Sequence, residues 1–179
     1  MAERAIFLDR DGTLIVDKDY LATVEGVELL PGAGVGLATL AGLGFRLVVV
    51  SNQSGIGRGY FTADIVHAQF ARLQRLLLPH GVTLAHLEFC PHAPEAACAC
   101  RKPQPGMLLA AAGKLGLDCA RSYMIGDKEA DVGAGRAAGC RTVRLGHPLP
   151  GADFSAPDLP TAAAWIASQE QQQAARSDR

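Results

Sequence analysis

Nowhere does the sequence hold an uncharged apolar run long enough to span a bilayer, which argues against a membrane-embedded helix. The first residues, MAERAIFLDRDG, lack the apolar centre of a secretory leader, so they read as a strand running into a loop. The expectation is a cytoplasmic protein. The net charge is only −1 and no extended basic stripe is present, which argues against nucleic acid as a partner. Any anion must therefore be met by a few local cations. There is no internal repeat, and no linker before about residue 147. What remains is 179 residues, 49% of them hydrophobic, enough for one proper core. Residues 1–166 are expected to form one domain. The segment 167–179, which includes SQEQQQAARSDR, is expected to be a flexible tail.

Two periodicities alternate along the chain. Short apolar runs of strand type occur at 5–9, 46–51, 121–127 and 142–146. Between them, Val66, Phe70, Leu73 and Leu77 recur at helical spacing within 62–78, with Thr62 as candidate N-cap. Pro105 opens a helical pattern that stops at Gly116, and 129–139 stops at Gly139. Strands alternating with helices predict an α/β fold: a single Rossmann-like, three-layer domain around a parallel sheet. The gaps at 14–45 and 52–101 leave no room for a large cap domain.

Asp9, Ser51 and Asp127 each stand at the end of a predicted strand, on the sheet edge where such folds bind ligands. With Asp11, Thr13, Lys102 and Asp131 they make a set suited to phosphate chemistry. Carboxylates hold a hard cation such as magnesium, and hydroxyls with an ammonium complete a phosphate cradle. Asp9 is ionised at neutral pH and can attack phosphorus without an activating base. Asp11, two residues on, can protonate the leaving oxygen and later take a proton from water. Gly12 leaves room for a tight turn. The plainer reading, an α/β domain with surface acids, stands beside this one.

FLDRDGTL at 7–14 resembles the first motif of the haloacid-dehalogenase-like phosphatases. Ser51, Lys102 and GDKEAD at 126–131 resemble the second, third and fourth, in order, and the match spans about residues 5–146. The resemblance implies Asp9 as nucleophile, Asp11 as general acid/base, and Ser51 and Lys102 on the transferring phosphoryl group. It also implies magnesium held by Asp9, Asp127 and the main-chain carbonyl of Asp11.

Three of the five cysteines crowd into residues 90–100. Cys90, His92, Cys98 and Cys100 form C-x-H-x5-C-x-C, a ligand set for a closed structural zinc site. Disulfide or plain packing are the alternatives, and Cys119 and Cys140 read as small buried hydrophobes. A zinc here would pin the loop and aim Arg101 and Lys102 at the phosphate edge. DRDGTL, SNQSGIGRGYFT, this loop and SYMIGDK are together similar to the heptose-bisphosphate branch of the family, implying a small sugar bisphosphate as partner. That likeness places Thr13, Asp17, Lys18, Asp19, Tyr20, Asn52, Gln53, Ser54, Arg101 and Lys128 around the substrate. The histidinol-phosphate branch is the alternative, because the spacer from His92 to Cys98 is short. A zinc-stabilised, non-catalytic sugar-phosphate-binding module remains a further reading. A dinucleotide site at GAGVG, 32–36, lacks the strand-to-turn context. With an open site, a monomer is expected.

Overall fold

The computed structural model describes residues 2–177. Six strands form one parallel sheet: β1 Ala5–Leu8, β2 Arg46–Asn52, β3 His86–Cys90, β4 Tyr123–Gly126, β5 Arg141–Leu145 and β6 Phe154–Ala156. Their order is β3-β2-β1-β4-β5-β6. The chain winds outward from β1 in one direction and then from β4 in the other. The crevice between β1 and β4 is therefore the topological switch point, where open α/β sheets bind ligands at the carboxyl edge. Asp9 follows β1 and Asp127 follows β4, so both flank that crevice.

Six helices connect the strands: α1 Ala33–Gly42, α2 Ser54–Gly57, α3 Ala63–Leu77, α4 Gly106–Leu115, α5 Glu129–Ala137 and α6 Leu159–Ser177. Alternation along the strands divides the core in two. Ile6, Leu8, Leu47 and Val49 face Leu37 and Leu40 of α1, Leu73 and Leu77 of α3, and Ile166 of α6. Phe7, Val48 and Val50 face Met107, Leu108 and Ala111 of α4 and Ala134 of α5. Both faces are covered, which is why β1 and most of β2 read as unbroken apolar runs.

The expected single α/β layer arrangement is thus present, and four of the six strands stand where their apolar runs predict. β3 and β6 were not anticipated. HLEFC is half-buried except at Cys90, and Phe154–Ala156 is too short to show a period. Thr62 occupies the N-cap position of α3 with extended backbone but makes no side-chain cap bond. The segment expected to be a tail is helical through residue 177, as the continuation of α6. Its middle is tied to the sheet, because Glu170 accepts hydrogen bonds from Arg4 and from the Tyr123 hydroxyl. Trp165 of the same helix stacks on Phe154 with centroids 4.7 Å apart. Residues 178–179 of the expected tail lie outside the described residues. Among the described residues, no helix is long and apolar enough to cross a membrane.

Candidate active site

Asp9 and Lys102 meet at the carboxyl edge of the sheet, each almost completely buried. Lys102 Nζ donates to Asp9 Oδ1 at 2.7 Å and to the Val50 carbonyl at 2.8 Å, and lies 2.7 Å from Asp131 Oδ1. The main chain of Lys102 is held as firmly. Asn52 at the end of β2 accepts from the Lys102 amide at 3.0 Å and donates to its carbonyl at 3.1 Å.

Burial opposes the Lys102 charge, but Asp9 and Asp131 outweigh it, so the ammonium keeps its proton more tightly than usual. Burial pushes Asp9 up to about 6, against the attraction of Lys102. Burial also pushes Asp127 up to about 6, with the neighbouring Asp9 charge adding to it. Carboxyl oxygens of Asp9, Asp127 and Asp131 all lie within 4.8 Å of one another. Carboxylates gathered this closely, with Asp9 and Asp127 held above their ordinary range, are a donor set suited to a hard divalent cation. Asp131 also caps α5, accepting from the Lys128 amide at 2.9 Å, and two of the three carboxylates contact Lys102. Gly12, with φ of 82°, sits where any Cβ would overlap the Asp127 carboxylate, so the turn after Asp11 requires glycine.

Asp11 is positioned by Arg10, which the sequence did not single out, and by Gln53, which it placed around the substrate. Arg10, only 3% exposed, donates through Nε and Nη2 to Asp11 at 2.9 and 3.0 Å. Its Nη1 donates to Gln69 Oε1 at 2.6 Å. Gln53 Nε2 donates to Asp11 at 3.0 Å and to Ser51 Oγ at 2.8 Å, linking the two. Gln69 Nε2 in turn donates to the carbonyls of Leu21 and Thr23. Gln69 stands three residues after Val66 and four before Leu73, on the apolar stripe of α3. That placement was the available signal that its amide serves a buried network.

A cleft of about 280 Å³ opens over this floor. Of the residues expected around substrate, Asp17, Asp19, Tyr20, Asn52, Gln53, Ser54, Arg101 and Lys128 line it, with Asp11 and Lys102. Lys18 is directed elsewhere, 3.1 Å from Glu28. Thr13 is buried and lines a different cavity, beyond Asp127. Lys128 reaches Asp17 at 3.1 Å across the mouth. That bond, with the Asp19 amide, outweighs partial burial and lowers the Asp17 pKa. Tyr20 meets Tyr60 edge-on at 5.0 Å, and Arg58 lies over Tyr20 and 3.9 Å from Glu95.

Cys90, His92, Cys98 and Cys100 converge behind the Arg101 side of the cleft. Their ligand atoms all lie within 4.8 Å of one another. His92 Nδ1 is 3.5 Å from Cys90 Sγ and 3.3 Å from Cys100 Sγ. Tetrahedral zinc with Zn–S near 2.3 Å needs sulfurs about 3.8 Å apart; Cys98 stands 3.4 and 3.5 Å from its two partners, while Cys90 and Cys100 are closer, at 2.8 Å, and would have to part by about 1 Å. The thiols also compete for charge. The Arg101 amide and the other thiols, acting against desolvation, bring Cys98 down to about 6. Desolvation, with Cys90 and Cys98 beside it, pushes Cys100 up to about 12. A divalent cation would let all three ionise, so the cluster could hold zinc. Arg101 Nη1 points back to the His92 carbonyl at 3.4 Å, tying the cleft wall to this cluster.

A family model described as HAD-hydrolase-like matches residues 99–146, the part that carries Lys102 and Asp127. The chain is 42% identical over 176 residues to a D-glycero-beta-D-manno-heptose-1,7-bisphosphate 7-phosphatase of Escherichia coli (strain K12), covering 90% of this chain and 87% of that protein. It is 43% identical over 155 residues to the protein of the same name from Yersinia pestis, covering 81% and 82%. Among solved structures, it resembles the D,D-heptose 1,7-bisphosphate phosphatase from B. bronchiseptica complexed with magnesium and phosphate. The TM-score is 0.84 at 30% identity, covering 93% of this chain and 99% of that one. With an acid and a lysine at the switch point and relatives of this similarity, the chain belongs to the D-glycero-beta-D-manno-heptose-1,7-bisphosphate 7-phosphatase family of HAD-like phosphoric monoester hydrolases.

Proposed function

We propose that the protein removes the C7 phosphate of D-glycero-D-manno-heptose 1,7-bisphosphate, in a magnesium-dependent reaction through an aspartyl phosphate. The observation that carries this reading is the buried Asp9–Lys102 contact beside Asp127, with Lys102 also lining a cleft that holds Arg101 and Lys128 besides the Asp11-bound Arg10. One cation suffices for the transferring phosphoryl group. Arg101 and Lys128 suit a second phosphate on the same sugar. Relatives named for the beta anomer support that form as the preferred substrate.

Magnesium, held by Asp9, Asp127 and the Asp11 main-chain carbonyl, would offset the repulsion between a carboxylate and a phosphate dianion. Asp9 attacks phosphorus with its free oxygen, the one Lys102 does not occupy, and the bond from phosphorus to the C7 oxygen breaks. Asp11 gives its proton to that departing oxygen. Ser51 and Lys102 hold the phosphoryl oxygens throughout. Water then attacks the aspartyl phosphate while Asp11 takes a proton from it. The bond to Asp9 breaks and free phosphate leaves. Arg101 receives the distal phosphate, and the turn at 17–20 with Asn52, Gln53 and Ser54 lines the sugar.

The role of Cys90, His92, Cys98 and Cys100 in this reading is to hold a structural zinc that fixes Arg101 and Lys102. Such thiolates need a reducing compartment, which supports a cytoplasmic monomer acting on a small soluble substrate, with no nucleic-acid or membrane partner. Its place is in nucleotide-activated heptose synthesis for lipopolysaccharide core.

The test compares kcat/KM for phosphate release from heptose 1,7-bisphosphate and from histidinol phosphate, with magnesium present. The expected preference for the bisphosphate is about a hundredfold or more, roughly 2.7 kcal/mol in transition-state binding. The reverse preference would move the protein to histidine biosynthesis while keeping the reaction chemistry.

A further inference from the structure

Three buried side-chain polar atoms have no hydrogen-bond partner within the described residues: Thr13 Oγ1, Asp127 Oδ1 and Arg144 Nε. All three residues line one cavity of about 520 Å³, distinct from the substrate cleft. Leu30, Pro31, Leu145 and Leu159 give it apolar walls, and His147 and Asp158 line it as well. Asp127 separates the two spaces, since it belongs to the carboxylate cluster and also lines this cavity.

Arg144 has a definite reason to be there. It lies on β5 in register with Gly126, the residue immediately before Asp127. Its Nη1 donates to the Leu145 carbonyl at 3.0 Å, which anchors the guanidinium, while Nε has no partner. The three unpaired atoms are chemically complementary. An arginine Nε only donates, a carboxylate oxygen only accepts, and a threonine hydroxyl does both. Buried polar groups with such a mix, in a space of this size, are satisfied by ordered water making two to four bonds each.

We propose that Arg144 is a positioning residue for the metal-binding carboxylate: through water bound in this cavity, it orients Asp127 together with Thr13. This rests on the magnesium reading of the site given above. The proposal makes a prediction of definite sign. A guanidinium near a divalent cation repels it, so if charge alone mattered, removing Arg144 would tighten magnesium binding. If Arg144 instead orients Asp127, removing it must weaken binding. Groups that support metal ligands in this way typically contribute about 10- to 100-fold in affinity.

The experiment is calorimetric titration of magnesium into protein dialysed against magnesium-free buffer without chelator. It compares wild type with Arg144→Met and with Arg144→Lys, which keeps the charge but lacks the planar Nε donor. Unfolding temperatures of the metal-free proteins are measured alongside, and Arg144→Lys carries the test if Arg144→Met does not fold. The expected result is magnesium affinity lowered about tenfold or more in both variants. Turnover should then recover toward wild type as magnesium is raised to saturation. Unchanged or tighter binding in either folded variant overturns the assignment to Arg144 and leaves the proposed function standing. Failure of the wild type to bind magnesium overturns both.

Discussion

The Lys102 ammonium lies 2.7 Å from Asp9 Oδ1 and 2.7 Å from Asp131 Oδ1, so one cation joins the carboxylate that follows β1 to the acid that caps α5. All three side chains are nearly inaccessible to water. Removing the lysine leaves two carboxylates buried without their cation, which costs about 3–5 kcal/mol before protonation of the acids relieves part of it. Lys102→Ala should therefore lower both turnover and thermal stability. A kcat at least about a hundredfold down is expected, the scale of losing one charged phosphoryl contact. Near-normal kcat with a lowered unfolding temperature would reduce Lys102 to a structural role.

Asp9→Asn preserves shape and one hydrogen-bonding oxygen but removes the negative charge that attacks phosphorus. It also relieves the cluster of one buried anion. Turnover is expected to fall below detection while the metal-free protein becomes no less stable than wild type. A stopped-time assay for phosphate release and a parallel melting curve check the two halves separately. Measurable turnover in Asp9→Asn would mean that another group, or water itself, attacks phosphorus.

The acids of the candidate site were legible in the sequence because they belong to short motifs at the ends of apolar strands, and Lys102 through its place in a motif that resembles the family's third. Asp9, Ser51 and Asp127 needed only the strand period to be placed on one edge. What holds them was not legible. Arg10 stands between two acids in DRDG and reads as a solvated charge, yet it is buried against Asp11, Gln53 and Gln69. Gln69 meets Arg10 across 59 positions of sequence, a distance over which local patterns carry no information. Asn52 is similar: its motif suggested substrate, whereas its amide grips the backbone of Lys102. β3 escaped for a different reason. As an edge strand it is half-buried over His86–Phe89, so it shows neither a continuous apolar run nor clean alternation.

Without a metal, Asp9 and Asp127 both have folded-state pKa values raised to about 6, burial being the first cause in each. Lys102 pulls Asp9 down and Lys128 pulls Asp127 down, while Asp131 and Asp11 push Asp9 up. A carboxyl whose pKa is raised on folding binds its proton more tightly folded than unfolded. Its contribution to stability is therefore highest below the unfolded value and is lost as pH rises through about 4 to about 6. Magnesium works the other way, since it requires both groups ionised. The gain in unfolding temperature from millimolar magnesium should be small near pH 5 and larger near about pH 7.5. Melting curves with and without magnesium at the two pH values make the comparison. Equal gains would mean that the cation binds without displacing protons from these two acids.

The Cys/His cluster offers the last test, because it sits next to the cations rather than among them. Ala97, with φ of 47°, is in the left-handed region, and the short turn at Pro94–Ala96 contributes no buried residue. On the zinc reading, a loop so poor in packing takes its order from its ligands. Cys98→Ser replaces one thiolate by a weaker ligand at a partly exposed position, with little change in volume. The expected outcome is loss of stoichiometric zinc by elemental analysis and a lower unfolding temperature. KM should rise more than kcat falls, because Arg101 moves with the loop while Lys102 is also held by Asn52, Asp9 and Asp131. A variant that lacks zinc yet melts and binds substrate like wild type would show that the loop is ordered by its own packing. In that case the sulfur cluster has no part in placing Arg101.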